Sequence, residues 1–480
     1  MRSIVRSNLT TLALAIGLVL SSQAVAADLM EVYTQARQSD PQLQAADALR
    51  YSDAEGVVQS RAALLPQISG SASYGDDEGA SSFGAPRPFE RPDGTLGFGP
   101  TVSQSNFNSR AYAITLRQSI YDHRNYTRLG AARAVRSRGE ANYDTALDTL
   151  FIRVATAYFD ALTATTNLDA ARAEETAVGR QLEQADQRFE VGLTAITDVH
   201  EARARYDSAR AAVILAQNQL DDAYEALSEL TGQPVGTLKA VETDIPLNMP
   251  EPSDPEQWVQ VALEQNPALA ARRYSVDAAE SDIATAFAGH FPTLSLDISR
   301  RNSDGWGLSQ QNGVPNSARQ GGLDTSIGVL LNVPIFEGFA TQSRVRQSVH
   351  FRDAAADQLE QERRAVVRAT RNAYRAVIAG MSEIEARKQA LISAQSALEA
   401  TQAGFEVGTR TIVDVLLSQQ QLFVAQREYA RSRHNFIVAG LRLKQSSGVI
   451  DIADIEAVNA LLTDIVAPAQ TTPLPENSNG

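Results

Sequence analysis

Asp198 and Asp414 occupy the same place in two copies of one eleven-residue motif, FEVGLTAITDV over Phe189 to Val199 and FEVGTRTIVDV over Phe405 to Val415. An acid shortly after a threonine, Thr194 or Thr411, suits the start of a helix, where free N–H groups and the positive dipole end favour a carboxylate. Arg410, beside the second copy, is by type either an ion-pair partner or a solvated surface charge. Gly192 and Gly408 permit the positive φ that ends one helix and reverses the chain. Other chemistry finds no constellation. His123, His200, His290, His350 and His434 are dispersed, with no H-E-x-x-H, G-x-S-x-G or P-loop around them, and read as surface or seam histidines. GTLGFG at Gly94 to Gly99 lacks the strand-to-helix setting of a nucleotide site and reads as a flexible loop. With no cysteine there is neither a disulfide nor a thiolate metal site. The expectation is a chain with no catalytic residue, no metal and no cofactor.

The elements that position the two motifs begin after a leader. Arg2 and Arg6 precede an apolar run from Leu12 to Leu20, and Ala24-Val25-Ala26 gives the small-residue spacing of a cleavage site. Residues 1–26 are therefore expected to be a signal peptide, which implies export. Removing Arg2 and Arg6 takes the formal charge from -14 to -16, an acidic balance that argues against nucleic acid. Beyond the leader no stretch of about 18 apolar residues occurs, so any crossing of a membrane would be made by β-strands.

The motifs belong to a larger duplication. They share seven identities in eleven at an offset of 216, Tyr158 matches Tyr374 and Gly232 matches Gly448 at that offset, and Asp40-Pro41 pairs with Asn266-Pro267 at an offset of 226. Ile120-Tyr121-Asp122 likewise pairs with Ile335-Phe336-Glu337. The halves run over 27–235 and 255–450, joined by a linker at 236–254 and followed by a segment at 451–480 whose end, rich in Pro, Thr and Asn, reads as disordered. Each half opens with a helix, about Leu29 to Leu64 or Pro255 to Ala288. Two alternating strands follow, about 67–74 and 111–118 in the first half and 293–299 and 324–332 in the second, separated by long polar loops. Next come long helices over about 122–231 and 338–447, with seam residues such as Leu147, Leu150 and Val154 at three- and four-residue spacing. A run of roughly 67 residues would reach about 100 Å.

Four strands cannot close a barrel in lipid, where an open edge leaves unpaired N–H and C=O groups. Closure requires several chains, and a dimer with 8 strands or a trimer with 12 both satisfy the lower bound of about 8.

With both turn motifs and the junction Val333-Pro334-Ile335-Phe336-Glu337-Gly338 in place, the chain resembles the TolC family of outer-membrane channels over essentially all of Ala27 to Ile450. The resemblance implies a mainly α fold with a membrane β-barrel portion, four strands per protomer in a trimeric 12-stranded barrel, a periplasmic α-helical tunnel and a small equatorial region. It implies a homotrimer in the outer membrane of a Gram-negative bacterium, in contact with lipid and extending into the periplasm. The implied activity is passive export in multidrug efflux or type I secretion, beside a periplasmic adaptor and an ABC or proton-driven inner-membrane transporter. Carried over by motif, Asp198 and Arg410 tie helix pairs or protomers together and hold the tunnel shut, with Gln181 a partner of that arginine. Phe405 stands where the pattern has a tyrosine, so a hydroxyl link is missing. Asp414 matches the upper member of an aspartate ring at the aperture, and Leu417 replaces the second aspartate, leaving an apolar ring that blocks ions by dewetting. The turns at Gly192 and Gly408 are the implied adaptor contacts. The alternative reading is a periplasmic coiled-coil scaffold or adaptor that never enters the membrane.

Overall fold

Both prolines of the repeated pairs interrupt a helix. The computed structural model describes residues 26–242, 244–312 and 314–463, and the expected signal peptide and C-terminal end fall outside this range, save for Ala26. In chain order the elements are α1 (Leu29–Ser39), α2 (Pro41–Ala62), β1 (Gln67–Glu90), β2 (Leu96–Tyr121), α3 (His123–Glu190), α4 (Ile196–Thr231) and β3 (Ala240–Val241), then α5 (Pro255–Gln265), α6 (Pro267–Phe287), β4 (Thr293–Gln311), β5 (Val314–Asn332), α7 (Ala340–Glu406), α8 (Ile412–Ser447), α9 (Ile452–Asn459) and β6 (Leu462–Thr463). The opening helix expected in each half is two helices. Proline pushes the residue before it out of the helical region, and Asp40 and Asn266 sit at ψ 118° and 120°. Each then caps the helix that follows: Asp40 accepts from the Leu43 N–H at 2.9 Å and Asn266 from the Leu269 N–H at 3.1 Å.

The chain divides into two units. One is formed by Arg50–Gly139 and Arg272–Leu359. It holds an antiparallel sheet of four strands in the order β1-β2-β4-β5. Register explains its faces. Ile68, Leu116, Ile298 and Ile327 lie directly opposite one another across the four strands, and Tyr121, Leu294 and Leu331 form a row near one end. The intervening rows, on the other face, read Ser69-Thr115-Ser299-Ser326 and Ser71-Ala113-Arg301-Asp324. Toward this end one face is thus apolar and exposed, with Ile68 at 70% and Ile327 at 72%, and the opposite face is polar; farther along, the first face also carries Arg300 and the Arg110–Asp304 pair.

The strands run well beyond the expected boundaries. Gly75 to Ser109 and Arg300 to Gly322, read as loops from their Gly, Ser and Asn content, are mostly ladder, and residues 96–99 of the GTLGFG run lie in β2. A ladder bonds through its main chain, so small polar side chains wet on both faces do not end it. The β1–β2 hairpin also outlasts its neighbours, since β2 meets β4 only as far as Ser103 and Gln311 while its pairing with β1 continues to Leu96 and Glu90.

The other unit comprises the described residues up to Leu49, Glu140–Ala271 and those from Glu360 onward. Its core packs Leu29, Val32 and Tyr33 of α1 against Leu150, Val154 and Tyr158 of α3, with Leu227 from α4 and Ile455 from α9. The linker at 236–254 contributes to a small sheet: Leu238 bridges Ala27, and β3 pairs β6. The two halves meet their entry segments alike. Tyr158 donates to the Ala27 and Lys239 carbonyls, and Tyr374 donates to the Ser253 carbonyl. Gly232 and Gly448 both end their helices at φ +72°, and at Gly448 a side chain would have its Cβ 2.7 Å from the Asn266 Cα and the Gln265 carbonyl.

Candidate functional site

The two motifs build the same reverse turn. Gly192 and Gly408 take φ +76° and +78°. Leu193 N–H donates to the Arg188 carbonyl at 2.8 Å and Gly192 N–H to that of Phe189 at 2.9 Å; Thr409 and Gly408 repeat this onto Gly404 and Phe405 at 2.8 and 3.1 Å. These bonds satisfy the last carbonyls of α3 and α7 and point the chain into α4 and α8.

The helix starts then diverge. Thr411 and Asp414 form a reciprocal capping box on α8: the Thr411 N–H and hydroxyl donate to the Asp414 carboxylate at 2.9 and 3.0 Å, and the Asp414 N–H donates to Thr411 Oγ1 at 3.3 Å. Those bonds, with the nearby Arg410 charge, hold the Asp414 carboxyl below its usual range. In the first half Ala195 stands at the capping position and offers no side-chain acceptor. Thr194 and Thr197 instead donate their hydroxyls to Asp198.

The hairpins α3–α4 and α7–α8 also touch near these turns. Val178 of α3 packs against Ile412 and Leu416 of α8, with Tyr206, Phe405 and Val413 around them. The Arg188 guanidinium lies 4.8 Å from the centre of the Phe405 ring. Farther along, Arg205 donates to Gln420 at 3.4 Å and Arg427 pairs with Glu174 at 3.5 Å. No group of three or more His, Asp or Glu side chains that could hold a metal occurs among the described residues. His434 is a buried seam residue, its Nδ1 2.7 Å from Thr163 Oγ1 and its pKa pushed down to about 4 by burial and by Arg433.

Comparison with known proteins decides the family. The profile described as outer membrane efflux protein matches residues 32–233 and 258–449, one match in each half. The chain belongs to the outer membrane efflux protein family. Outer membrane protein TolC of Vibrio cholerae is 38% identical over 441 residues, covering 92% of this chain and 95% of that protein. TolC of Escherichia coli is 34% identical, covering 96% and 90%. The alkaline protease secretion protein AprF of Pseudomonas aeruginosa is 28% identical, covering 94% and 91%. Among solved structures, the Campylobacter jejuni CmeC outer membrane channel aligns with a TM-score of 0.69 at 17% identity, covering 91% of this chain and 90% of that chain. The fold is therefore that of the family, and this efflux family protein is an outer-membrane duct rather than an enzyme. The periplasmic-scaffold alternative is not favoured.

Within one chain of this efflux protein the expected gate residues are brought together only in part. Asp198 and Arg410 make no ion pair among the described residues, and Arg410 is exposed. Gln181 has its Oε1 buried without a hydrogen-bond partner. Phe405 does join the two hairpins, through its ring. Asp414 and Leu417, three residues apart on α8, share a side of that helix, and Leu417 is 40% exposed. Arg188, Arg205 and Glu174 escaped sequence reasoning, because each meets a partner more than 200 residues away. The only sequence sign was an arginine at position 188 where the second copy has Gly404.

Proposed function

We propose that three copies of this chain form a passive exit duct, and that its periplasmic mouth is gated at the helix turns. The carrying observation is the four-stranded sheet with one apolar face, one polar face and a free outer edge on β1 and on β5. No helix among the described residues is long and apolar enough to cross a membrane. Lipid requires the β1 and β5 edges to be paired, and the β5 edge of one copy meeting the β1 edge of the next would pair them along the length the two strands share. Three copies give 12 strands, above the minimum of about 8. The apolar rows then face lipid and the Ser, Thr, Arg and Asp rows line the water-filled bore.

The gate is assigned to Gln181, Asp198, Phe405 and Arg410, the aperture to rings of Asp414 and Leu417, and the adaptor contact to the turns at Gly192 and Gly408. Support comes from the matching turn geometry, from the Gln181 carbonyl, which is left without a hydrogen-bond partner in a single chain, and from the exposed Arg410, whose charge acts on nearby Asp414. Exposed ion pairs contribute about 0 to 1 kcal/mol each, which suits a mouth that partner contact opens. With no catalytic centre of its own, the duct takes its driving force from an inner-membrane transporter joined through a periplasmic adaptor. Its cargo would be small toxic compounds, secreted proteins or both.

Heat-modifiable trimers in outer-membrane fractions, with single-channel conductance in planar bilayers, test this reading. A soluble periplasmic monomer without conductance overturns it.

A further inference from the structure

Arg188 has an unusual station. It lies in the last turn of α3, its carbonyl is already used by the Leu193 N–H, and its side chain makes no ion pair among the described residues. Its guanidinium instead covers the face of Phe405, in the last turn of α7, at 4.8 Å. The two residues belong to the two copies of the repeat yet are not equivalent, because the counterpart of Arg188 is Gly404. The contact is therefore a feature of this asymmetric pair rather than an echo of the duplication.

We infer that Arg188 is a positioning residue of the closed mouth, its guanidinium clasping the first hairpin to the second through the Phe405 ring. The inference rests on the proposed gate at the turns. A cation is drawn to the negative face of an aromatic ring, and phenylalanine offers that face with no hydroxyl to compete. An arginine in the last turn of a helix is favoured by the negative dipole end as well, so the side chain stays at this level. Of the links between the hairpins, the Arg188–Phe405 contact joins the final turns themselves. The Arg205–Gln420 bond and the Glu174–Arg427 pair involve residues farther from the glycine turns, and the apolar cluster reaches the second turn through Ile412 but draws on Val178, well before the end of α3. Any movement that parts the hairpins at the mouth must separate Arg188 from Phe405.

The test uses assembled protein in planar bilayers. Phenylalanine 405 is replaced by mono-, di- and trifluorinated analogues, which keep the ring's shape and weaken its negative face stepwise. Open probability is expected to rise with each fluorine, by a factor of about 2 to 5 per copy for complete loss of an exposed cation–π contact. Arg188→Gln should reproduce the full effect, Arg188→Lys part of it and Phe405→Trp little of it, while Arg188→Gln with Phe405→Leu should exceed neither single change. Open probability independent of fluorination, beside an effect of Phe405→Leu, would reduce the contact to apolar packing and overturn the inference. The double substitution Asp198→Ala, Arg410→Ala separates the two levels. If it opens the channel and fluorination does not, the clasp alone is wrong; if neither does, the gate itself lies elsewhere.

Discussion

The Tyr158 hydroxyl sits 3.2 Å from the Ala27 carbonyl and 2.9 Å from that of Lys239, fastening the segment just before α1 and the inter-repeat linker to the middle of α3. Tyr374 makes the matching bond to Ser253 in the second half. Tyr158 is fully buried, so removing its hydroxyl leaves a carbonyl without its donor. Tyr158→Phe should cost about 1 to 3 kcal/mol, read as a lower temperature of heat dissociation. Tyr374, less buried, should lose less on the same change.

Gly448 is held against the backbone of the α5–α6 break. Gly448→Ala forces an L residue into the left-handed region, at about 1 to 2 kcal/mol, and adds a collision with Gln265 and Asn266 at 2.7 Å. Gly232→Ala meets only the Ser39 side chain, at 3.2 Å, and Gly236→Ala meets open space. The loss of thermal stability should follow that order, and equal losses at all three sites would contradict it.

Asp148 carries a pH dependence. Burial, then the charge of Asp144, pushes its pKa up to about 7, whereas a free aspartate lies near 3.9. The folded chain therefore binds the extra proton between those values, and stability falls as pH rises from about 4 through 7. Asp148→Asn should stabilise the protein at pH 8 and have little effect near pH 4. Denaturation midpoints whose separation does not grow with pH would contradict the burial argument.

Asp198→Ala with Arg410→Ala should raise single-channel conductance without loss of assembly, because it removes two charges assigned to the mouth. An assembled double variant that conducts like the parent rejects those assignments.

Leu417→Asp should make the channel more sensitive to multivalent cations. It adds a carboxylate three residues after Asp414, whose own carboxyl is held charged by Thr411. Unaltered block would place the narrowest ring at some other level.

What the sequence could disclose follows from the range of the interactions. The turns were legible because a helix end is local chemistry: glycine for the reversal, threonine and aspartate for the next start. The duplication was legible because Tyr158 and Tyr374, 216 residues apart, do the same work on entry segments whose Asp40-Pro41 and Asn266-Pro267 pairs are 226 apart. Strand length was not, since serine and glycine between Gly75 and Ser109 carry a loop composition into a continuous ladder. The breaks at Pro41 and Pro267 were visible as paired dipeptides, yet the apolar spacing on either side masked the change of direction. The Arg188–Phe405 contact could not be read, because it depends on how two helices 217 positions apart in the chain are rotated about their axes.

The β1–β2 hairpin continues past the last residue of β4, so residues 84–99 form a ribbon with no strand beside it. Pro86 and Pro88 lack the N–H that a stray strand would need, and Arg87 and Arg91 place charge nearby, features that discourage sticking at an open edge. The seam proposed between subunits needs no pairing along this ribbon. Length and sequence there are free to vary without touching any rung that β2 shares with β4, and so without altering the diameter of the proposed bore.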